Sequence, residues 1–258
     1  MSELEQIIRS EIDSTGAITF ARFMELALYH PAHGYYERNL KQTGRDGDFF
    51  TSVSIGSLYG EILGCDFAER LQKLSGTDLV LIEAGAHDGQ LAADLLGYLR
   101  EYQRDTFRRV QYVIIEPSFT RAEKQFKTLA QYTNGKVRWV KSWDEIPEFS
   151  GICFSNELLD AMPVHVFRWN APEKTWTEWG ITNHDGSFHW KPLPEEQHSP
   201  RARKLLARLP SEFLAVLPND FTQRTLPLVY WARVLNCFSA LAKDGSIMTY
   251  WTRRNASR

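Results

Sequence analysis

Residues 78–90 read DLVLIEAGAHDGQ. Asp78 to Glu83 form a short, uninterrupted apolar run closed by a carboxylate, the pattern of a strand buried on both faces of a parallel sheet. Gly85 and Gly89 follow, and glycine lets the chain turn tightly and lets a ligand approach the backbone. From Gln90 to Tyr102 the apolar residues return at helical spacing. Strand, glycine turn and helix make the first unit of an alternating fold.

Downstream the alternation continues. VQYVIIE at 110–116 reads as a second buried strand, with Pro117 in the first turn of a helix that runs to about Tyr132. VRWV at 137–140 and GICFS at 151–155 are two more strands, and this order predicts a parallel sheet with right-handed crossovers. Residues 164–225 read as an insertion. VHVFRW and TWTEWGI, separated by NAPEK, predict a hairpin, and PEEQHSPRARK at 194–204 predicts polar surface. Leu228 to Leu241 read as a helix and SIMTYW at 246–251 as a strand, followed by TRRNASR.

Upstream, residues 1–75 predict a helical region. Ser2 and Glu5 are spaced as a capping box, Leu4, Ile7, Ile8 and Ile12 share a helix face, and Gly16 ends it. Phe20, Phe23, Met24 and Ala27 repeat the spacing. HPAHGYYE at 30–37 is a turn and RDGDFFTS at 45–52 a loop. A third helix is expected to bury Ile55, Leu58, Tyr59, Ile62, Leu63 and Phe67 on one side.

The chain has 258 residues, 43% of them hydrophobic and 24% charged, with a formal net charge of −2. That balance lacks the basic excess of a dedicated nucleic-acid binder. Cys65, Cys153 and Cys237 make neither a zinc pattern nor a disulfide framework, so no metal is expected. The N-terminus MSELEQIIRSEI is mixed in charge, and no apolar run has the length of a membrane span. On these grounds the expectation is a cytoplasmic protein with no nucleic-acid or membrane partner.

In an open parallel sheet, ligands bind beyond the carboxyl ends of the strands. After the first strand stand Glu83, Gly85, His87 and Gly89, ahead of a helix N-terminus with free N–H groups. After the second stands Glu116, whose carboxylate can accept from the hydroxyls of a ribose. The glycine spacing fails the dinucleotide pattern G-x-G-x-x-G, which opposes a nicotinamide-dependent oxidoreductase. It fits the methyltransferase turn [DE]-x-G-x-G-x-G at Glu83, Gly85 and Gly89, with His87 in place of the middle glycine. An ordinary strand–helix turn beside a surface acid is the plainer reading of the same residues. After the fourth strand come Asn156, Glu157 and Asp160, an amide and two carboxylates beside the ligand edge; Asp160 also reads as a helix cap or ion-pair partner. Trp169, Trp176, Trp179 and Trp190 fit a core or a partner surface, with core favoured.

The order of motifs resembles the MidA-like family of S-adenosylmethionine (SAM)-dependent methyltransferases, which includes the mitochondrial complex I assembly arginine methyltransferase. The matching pieces are Phe20-x-x-Phe23-Met24, Leu28-Tyr29-x-Pro31-x-x-Gly34-Tyr35-Tyr36, and Gly47-Asp48-Phe49-x-Thr51-Ser52. Glu83-x-Gly85-Ala86, Glu116-x-Ser118 and Asn156-Glu157-Leu158-Leu159-Asp160-Ala161-x-Pro163-Val164 continue it. The likeness covers about residues 15 to 170. It implies an α/β, class I (Rossmann-like) methyltransferase sheet, an N-terminal helical region that closes over the cofactor, and SAM as that cofactor. By position, Glu83, Gly85, His87 and Gly89 would line its methionine end and Glu116 would hold its ribose. Gly47, Asp48 and Thr51 would belong to the covering loop, and Asp144 would stand on the adenine side.

Two departures accompany the resemblance. One is His87. The other is the C-terminus, which reads as about a hundred residues short of the family pattern, with the final strands of the sheet missing. The expected activity is methyl transfer from SAM to a protein side chain, with arginine one candidate acceptor and Glu157, Asp160 and Asn156 acting on it. The alternative is a non-catalytic SAM-binding or assembly-factor module with the same fold.

Overall fold

The computed structural model describes residues 1–38, 56–75, 77–218 and 222–225. The sequence expectations at 45–52, 228–241 and 246–251 lie outside the described residues. Two compact units divide the chain: Met1–Asn39 with Leu159–Arg233, and Leu40–Leu158 with Val234–Arg258.

The N-terminal part of the first unit carries α1 (Glu3–Thr15), β1 (Ile18–Thr19), α2 (Phe20–Tyr29) and the short α3 (Tyr35–Arg38). Ser2 caps α1 by accepting the Glu5 N–H at 3.1 Å. The Glu5 carboxylate in turn takes a backbone hydrogen bond from Ser2, the reciprocal half of the box, and also accepts from Arg9 Nη2 at 2.7 Å. Gly16 closes α1 at φ 77°, where a side chain would strain the backbone.

The second unit opens with α4 (Leu58–Gln72), then β2 (Leu79–Ala84), α5 (Gln90–Tyr102), α6 (Arg104–Arg109), β3 (Val110–Ile115), α7 (Phe119–Thr128), β4 (Val137–Val140) and β5 (Ser150–Phe154). The four strands run parallel in the order β4-β3-β2-β5. Strand order therefore reverses at β2, where a doubly wound sheet opens its ligand crevice. Leu79, Leu81, Tyr112, Ile114 and Phe154 are buried in one core with Leu95, Leu96 and Leu99 of α5.

Two expectations are corrected in this unit. The buried stripe of α4 is Gly60, Leu63, Gly64, Phe67, Ala68 and Leu71, while Leu58 and Ile62 are 68% and 58% exposed. A Cβ at Gly60 would lie 2.5 Å from Asp94 Cβ, and one at Gly64 would lie 2.7 Å from the Tyr98 ring. The glycines let α4 and α5 approach closely, so they take the contact stripe from the larger apolar residues. Pro117 stands outside α7 rather than in its first turn, because Ser118 is the cap and accepts the Arg121 N–H.

After η-turn residues Leu159–Ala161, the first unit resumes with β6 (His165–Asn170), β7 (Thr175–His184), β8 (Ser187–Pro192), α8 (Pro200–Leu206), α9 (Ser211–Ala215) and β9 (Thr222–Thr225). The expected hairpin is β6–β7. β7 also pairs antiparallel with β8 and, at Gly180 and Ile181, with β1. Residues 194–204 are mostly exposed, yet Ala202 of α8 is buried, and it packs with Leu206 against Phe167. Glu178 of β7 is fully buried. One carboxylate oxygen lies 2.6 Å from His165 Nδ1 and the other accepts the Ser199 N–H at 2.5 Å. Of the four tryptophans, Trp169 is core, Trp176 and Trp179 are half-buried, and Trp190 is 47% exposed. Among the described residues no helix is long and apolar enough to cross a membrane, and no cluster of three His, Cys, Asp or Glu side chains could hold a metal ion.

Candidate functional site

Within the second unit, the carboxyl ends of β2, β3 and β5 bring together the residues singled out from the sequence. β2 ends on Glu83, whose carboxylate is 1% exposed and accepts from the Tyr112 hydroxyl at 2.7 Å. Burial pushes its pKa up to about 7, against the lowering effect of the Tyr112 hydrogen bond. Folding therefore favours the protonated acid. Stability should fall as pH rises from about 4.5 through 7, by roughly 3 kcal/mol for a shift of this size. Glu83→Gln should remove this loss, raising Tm above wild type at pH 8 but not at pH 4.5. A Tm difference independent of pH would contradict the assignment.

The turn that follows holds three residues at positive φ: Gly85 at 72°, His87 at 48° and Gly89 at 85°. His87, which replaces the middle glycine of the methyltransferase pattern, keeps the left-handed backbone that a glycine adopts most easily. Its side chain is 47% exposed, with Nδ1 3.5 Å from the Asp88 carboxylate. Burial raises the Asp88 pKa, but hydrogen bonding and charge from His87 and the Gln90 N–H more than offset this, so the carboxyl sits below its ordinary range. A Cβ at Gly85 would come within 2.7 Å of Leu158, so the turn is packed against the residue following Glu157. Gly89 caps α5, whose first N–H groups open toward the strand ends.

Glu116 stands just past β3 and is buried. Oε1 accepts the Ser118 N–H at 3.0 Å and lies 3.3 Å from Arg121 Nε, and Oε2 accepts from Gln125 Nε2 at 3.0 Å. The carboxylate expected to bind a ribose is thus already held by the protein's own donors.

The organising residue, which the sequence reading missed, is Gln125 of α7. Its side chain is fully buried, and Nε2 also donates to the His87 carbonyl at 3.0 Å while Oε1 accepts from Trp139 Nε1 at 2.9 Å. One amide therefore joins the glycine turn, Glu116 and β4. The available signal was a polar residue on the inward face of an amphipathic helix.

After β5, Asn156 Oδ1 accepts from the Tyr59 hydroxyl of α4 at 3.1 Å. Glu157 is exposed and adopts φ 47°. Asp160 falls in the first unit, and its side chain lies outside the described residues. Asp144 is exposed in a short turn beyond β4. Gly47, Asp48 and Thr51 lie outside the described residues. The glycine turn and Glu116 are therefore joined through Gln125, Asn156 is fixed to α4, and Asp144 has no described bond to either.

Comparison with known proteins follows this geometry. The family model described as "Putative S-adenosyl-L-methionine-dependent methyltransferase" matches residues 62–243. The Drosophila melanogaster protein arginine methyltransferase NDUFAF7 homolog, mitochondrial, is 31% identical over 180 residues, covering 63% of this chain and 41% of its own length. The Danio rerio protein arginine methyltransferase NDUFAF7, mitochondrial, is 29% identical over 192 residues, covering 66% and 44%. The chain thus spans about two fifths of the curated relatives it matches. A crystal structure of a Burkholderia thailandensis superfamily member bound to S-adenosyl-homocysteine superposes with a TM-score of 0.70 at 28% identity, covering 95% of this chain and 61% of that one. The expectation of a cytoplasmic protein is corrected by these relatives, which are mitochondrial by name. Cysteine count and N-terminal charge do not separate the two compartments. The resemblance read from the motifs and the class I α/β fold are borne out. With well over half of its residues matched by the family model and its fold shared with a protein that binds S-adenosyl-homocysteine, the chain belongs to this family of S-adenosyl-L-methionine-dependent methyltransferases.

Proposed function

We propose that the chain transfers a methyl group from SAM to a protein side chain, and that the acceptor is an arginine guanidinium. The observation that carries the reading is the joined glycine turn and Glu116 carboxylate at the point where strand order reverses. The relatives named as protein arginine methyltransferases supply the acceptor.

The residues fit the cofactor. The turn at 85–89 carries three left-handed positions, and its two glycines bring no side chain of their own where Leu158 and Gln125 pack against the backbone. To Glu116 we assign the ribose hydroxyls, and to the exposed Asp144 the adenine side. SAM, when bound, supplies an electrophilic methyl group on a sulfonium. The protein's task is then to aim the acceptor nitrogen in line with that group, which supplies much of the rate. A guanidinium is cationic at neutral pH and presents only donors. Asn156 and Glu157 are the acceptors we assign to it. Asn156 is fixed by Tyr59, and the exposed Glu157 carboxylate offers a charged partner. The guanidinium proton that is lost on methylation leaves to solvent through this open edge.

Two measurements test the reading. The first is incorporation of label from radioactive SAM into protein in a lysate, with the modified residue identified by mass spectrometry. The second is Glu157→Gln, which keeps shape and removes charge. Loss of a charge-assisted hydrogen bond made to the acceptor should lower kcat about tenfold while leaving SAM affinity within about twofold. Equal losses in both would move Glu157 to the cofactor site, and SAM binding without any labelled product would favour a binding module.

A further inference from the structure

We infer that Tyr59 is a positioning residue for the acceptor site, holding the loop at 156–158 in the backbone conformation that aims Glu157. The inference rests on the reading of Glu157 as a partner of the acceptor guanidinium.

Glu157 stands out by its backbone. It carries a Cβ, yet it adopts φ 47° in the loop that follows β5. The left-handed region is disfavoured for such a residue, and it persists where the surroundings hold it. The Glu157 side chain is exposed, and the residues on either side supply the hold. Leu158 is set against the sheet: a Cβ at Gly85 would come 2.7 Å from its Cδ1, and the Gly85 N–H donates to the Ile115 carbonyl at 3.2 Å. Asn156 is set against α4, because its Oδ1 accepts from the Tyr59 hydroxyl at 3.1 Å. The strained residue therefore sits between two clamps, one position away on each side.

Tyr59 can act as an anchor because its own helix is pinned. Its ring packs on the main core of the second unit. The next residue, Gly60, lets α4 close on α5, where a Cβ would lie 2.5 Å from Asp94 Cβ. Two turns further on, Phe67 meets Phe154, the last residue of β5, at a ring separation of 5.0 Å. The same helix thus grips the end of β5 and the loop beyond it. A packed tyrosine ring brings its hydroxyl to one place, since only two torsions precede it. Without that hydroxyl, Asn156 loses its tie to α4, and Glu157 can relax to the ordinary right-handed or extended backbone. Its carboxylate then swings away from the direction the clamped loop gives it.

The test has two parts, both on the full chain. Tyr59→Phe keeps the packed ring and deletes the hydroxyl. In native-state digestion with a glutamyl endopeptidase, cleavage after Glu157 should speed up about fivefold or more, because a locally released loop is open to protease. Cleavage after the exposed Glu145 and Glu173 should stay within about twofold of wild type. A folded Tyr59→Phe protein cut after Glu157 at the wild-type rate overturns the inference. An equal rise at all three sites also overturns it, since that marks general loosening. If Tyr59→Phe does not fold, Asn156→Ala removes the same bond from its other end and is read in the same way. The second part is a double-mutant cycle with Glu157→Gln, read as the rate of label transfer from radioactive SAM into lysate protein at saturating SAM. Tyr59→Phe should lower that rate about fivefold in the wild-type background and less than about twofold beside Glu157→Gln, because a residue that acts through Glu157 then has no charge left to aim. Losses that multiply independently overturn the positioning role. A Glu157→Gln protein with the wild-type rate, or wild type that labels nothing, refutes the acceptor reading of Glu157 itself, and the digestion still decides whether Tyr59 holds the loop.

Discussion

Glu116→Ala is expected to lose both stability and affinity for S-adenosyl-homocysteine. The carboxylate is buried and is met by the Ser118 N–H, Gln125 Nε2 and Arg121 Nε. Removing it leaves a guanidinium that is mostly buried and two further donors facing a gap, and breaking a buried pair on one side costs about 3–5 kcal/mol. Glu116→Gln offers little relief. Each of those three groups donates, so the new NH2 must face a donor whichever way the amide turns. Both variants should unfold at markedly lower urea concentration than wild type, and where folded should bind S-adenosyl-homocysteine at least tenfold more weakly. A Glu116→Gln protein with wild-type midpoint and affinity would show that the carboxylate charge is unnecessary.

Glu178→Ala is expected to destabilise the first unit by about 1–3 kcal/mol, the cost of leaving donors that face a buried carboxylate without their acceptor. Glu178 is fully buried, and its two oxygens hold His165 Nδ1 and the N–H of Ser199 at the start of α8. Ala202 and Leu206 of α8 cover Phe167 on the same sheet. Loss of the carboxylate thus detaches the helix start as well as stranding the imidazole. The check is hydrogen exchange: amides of β6, β7 and α8 should lose protection while those of β2, β3 and β5 keep theirs. Uniform loss across both sets would mean that the two units unfold as one, and no loss would mean that the pair is dispensable.

The parallel sheet was legible because its strands are buried on both faces, so LVLIEA and VQYVII stand out as apolar runs. The glycine turn and Glu116 were legible because topology puts them at the ligand edge. What stayed hidden depends on contacts rather than pattern. β8 is almost wholly exposed and carries no alternation, and β1 is two residues long and exists through its pairing with β7. On α7 the large apolar residues misdirect the eye: Phe119 and Phe126 are 76% and 51% exposed, while Gln125 faces inward. Hydrophobicity alone turns that helix the wrong way, because the inward place is taken by a side chain whose polar atoms are all matched by neighbours. The stripe on α4 fails for the opposite reason, since glycine scores as neither core nor surface yet governs how near two helices can come.

The first unit is assembled from two distant stretches of chain. β1 pairs with β7, and the Thr182 hydroxyl bonds the Gly16 carbonyl 166 residues away. On a ribosome the stretch carrying Ile8, Ile12 and Leu26 emerges first, and Ile181, which joins them in one buried cluster, comes much later. At about 5–20 residues per second, that interval is roughly ten to thirty seconds. For all of it the amphipathic helices α1 and α2 lack their sheet, while the parallel sheet between can already close on itself. The nascent α1–α2 stretch therefore carries exposed apolar surface for that interval, and this unit cannot close before β7 has been made.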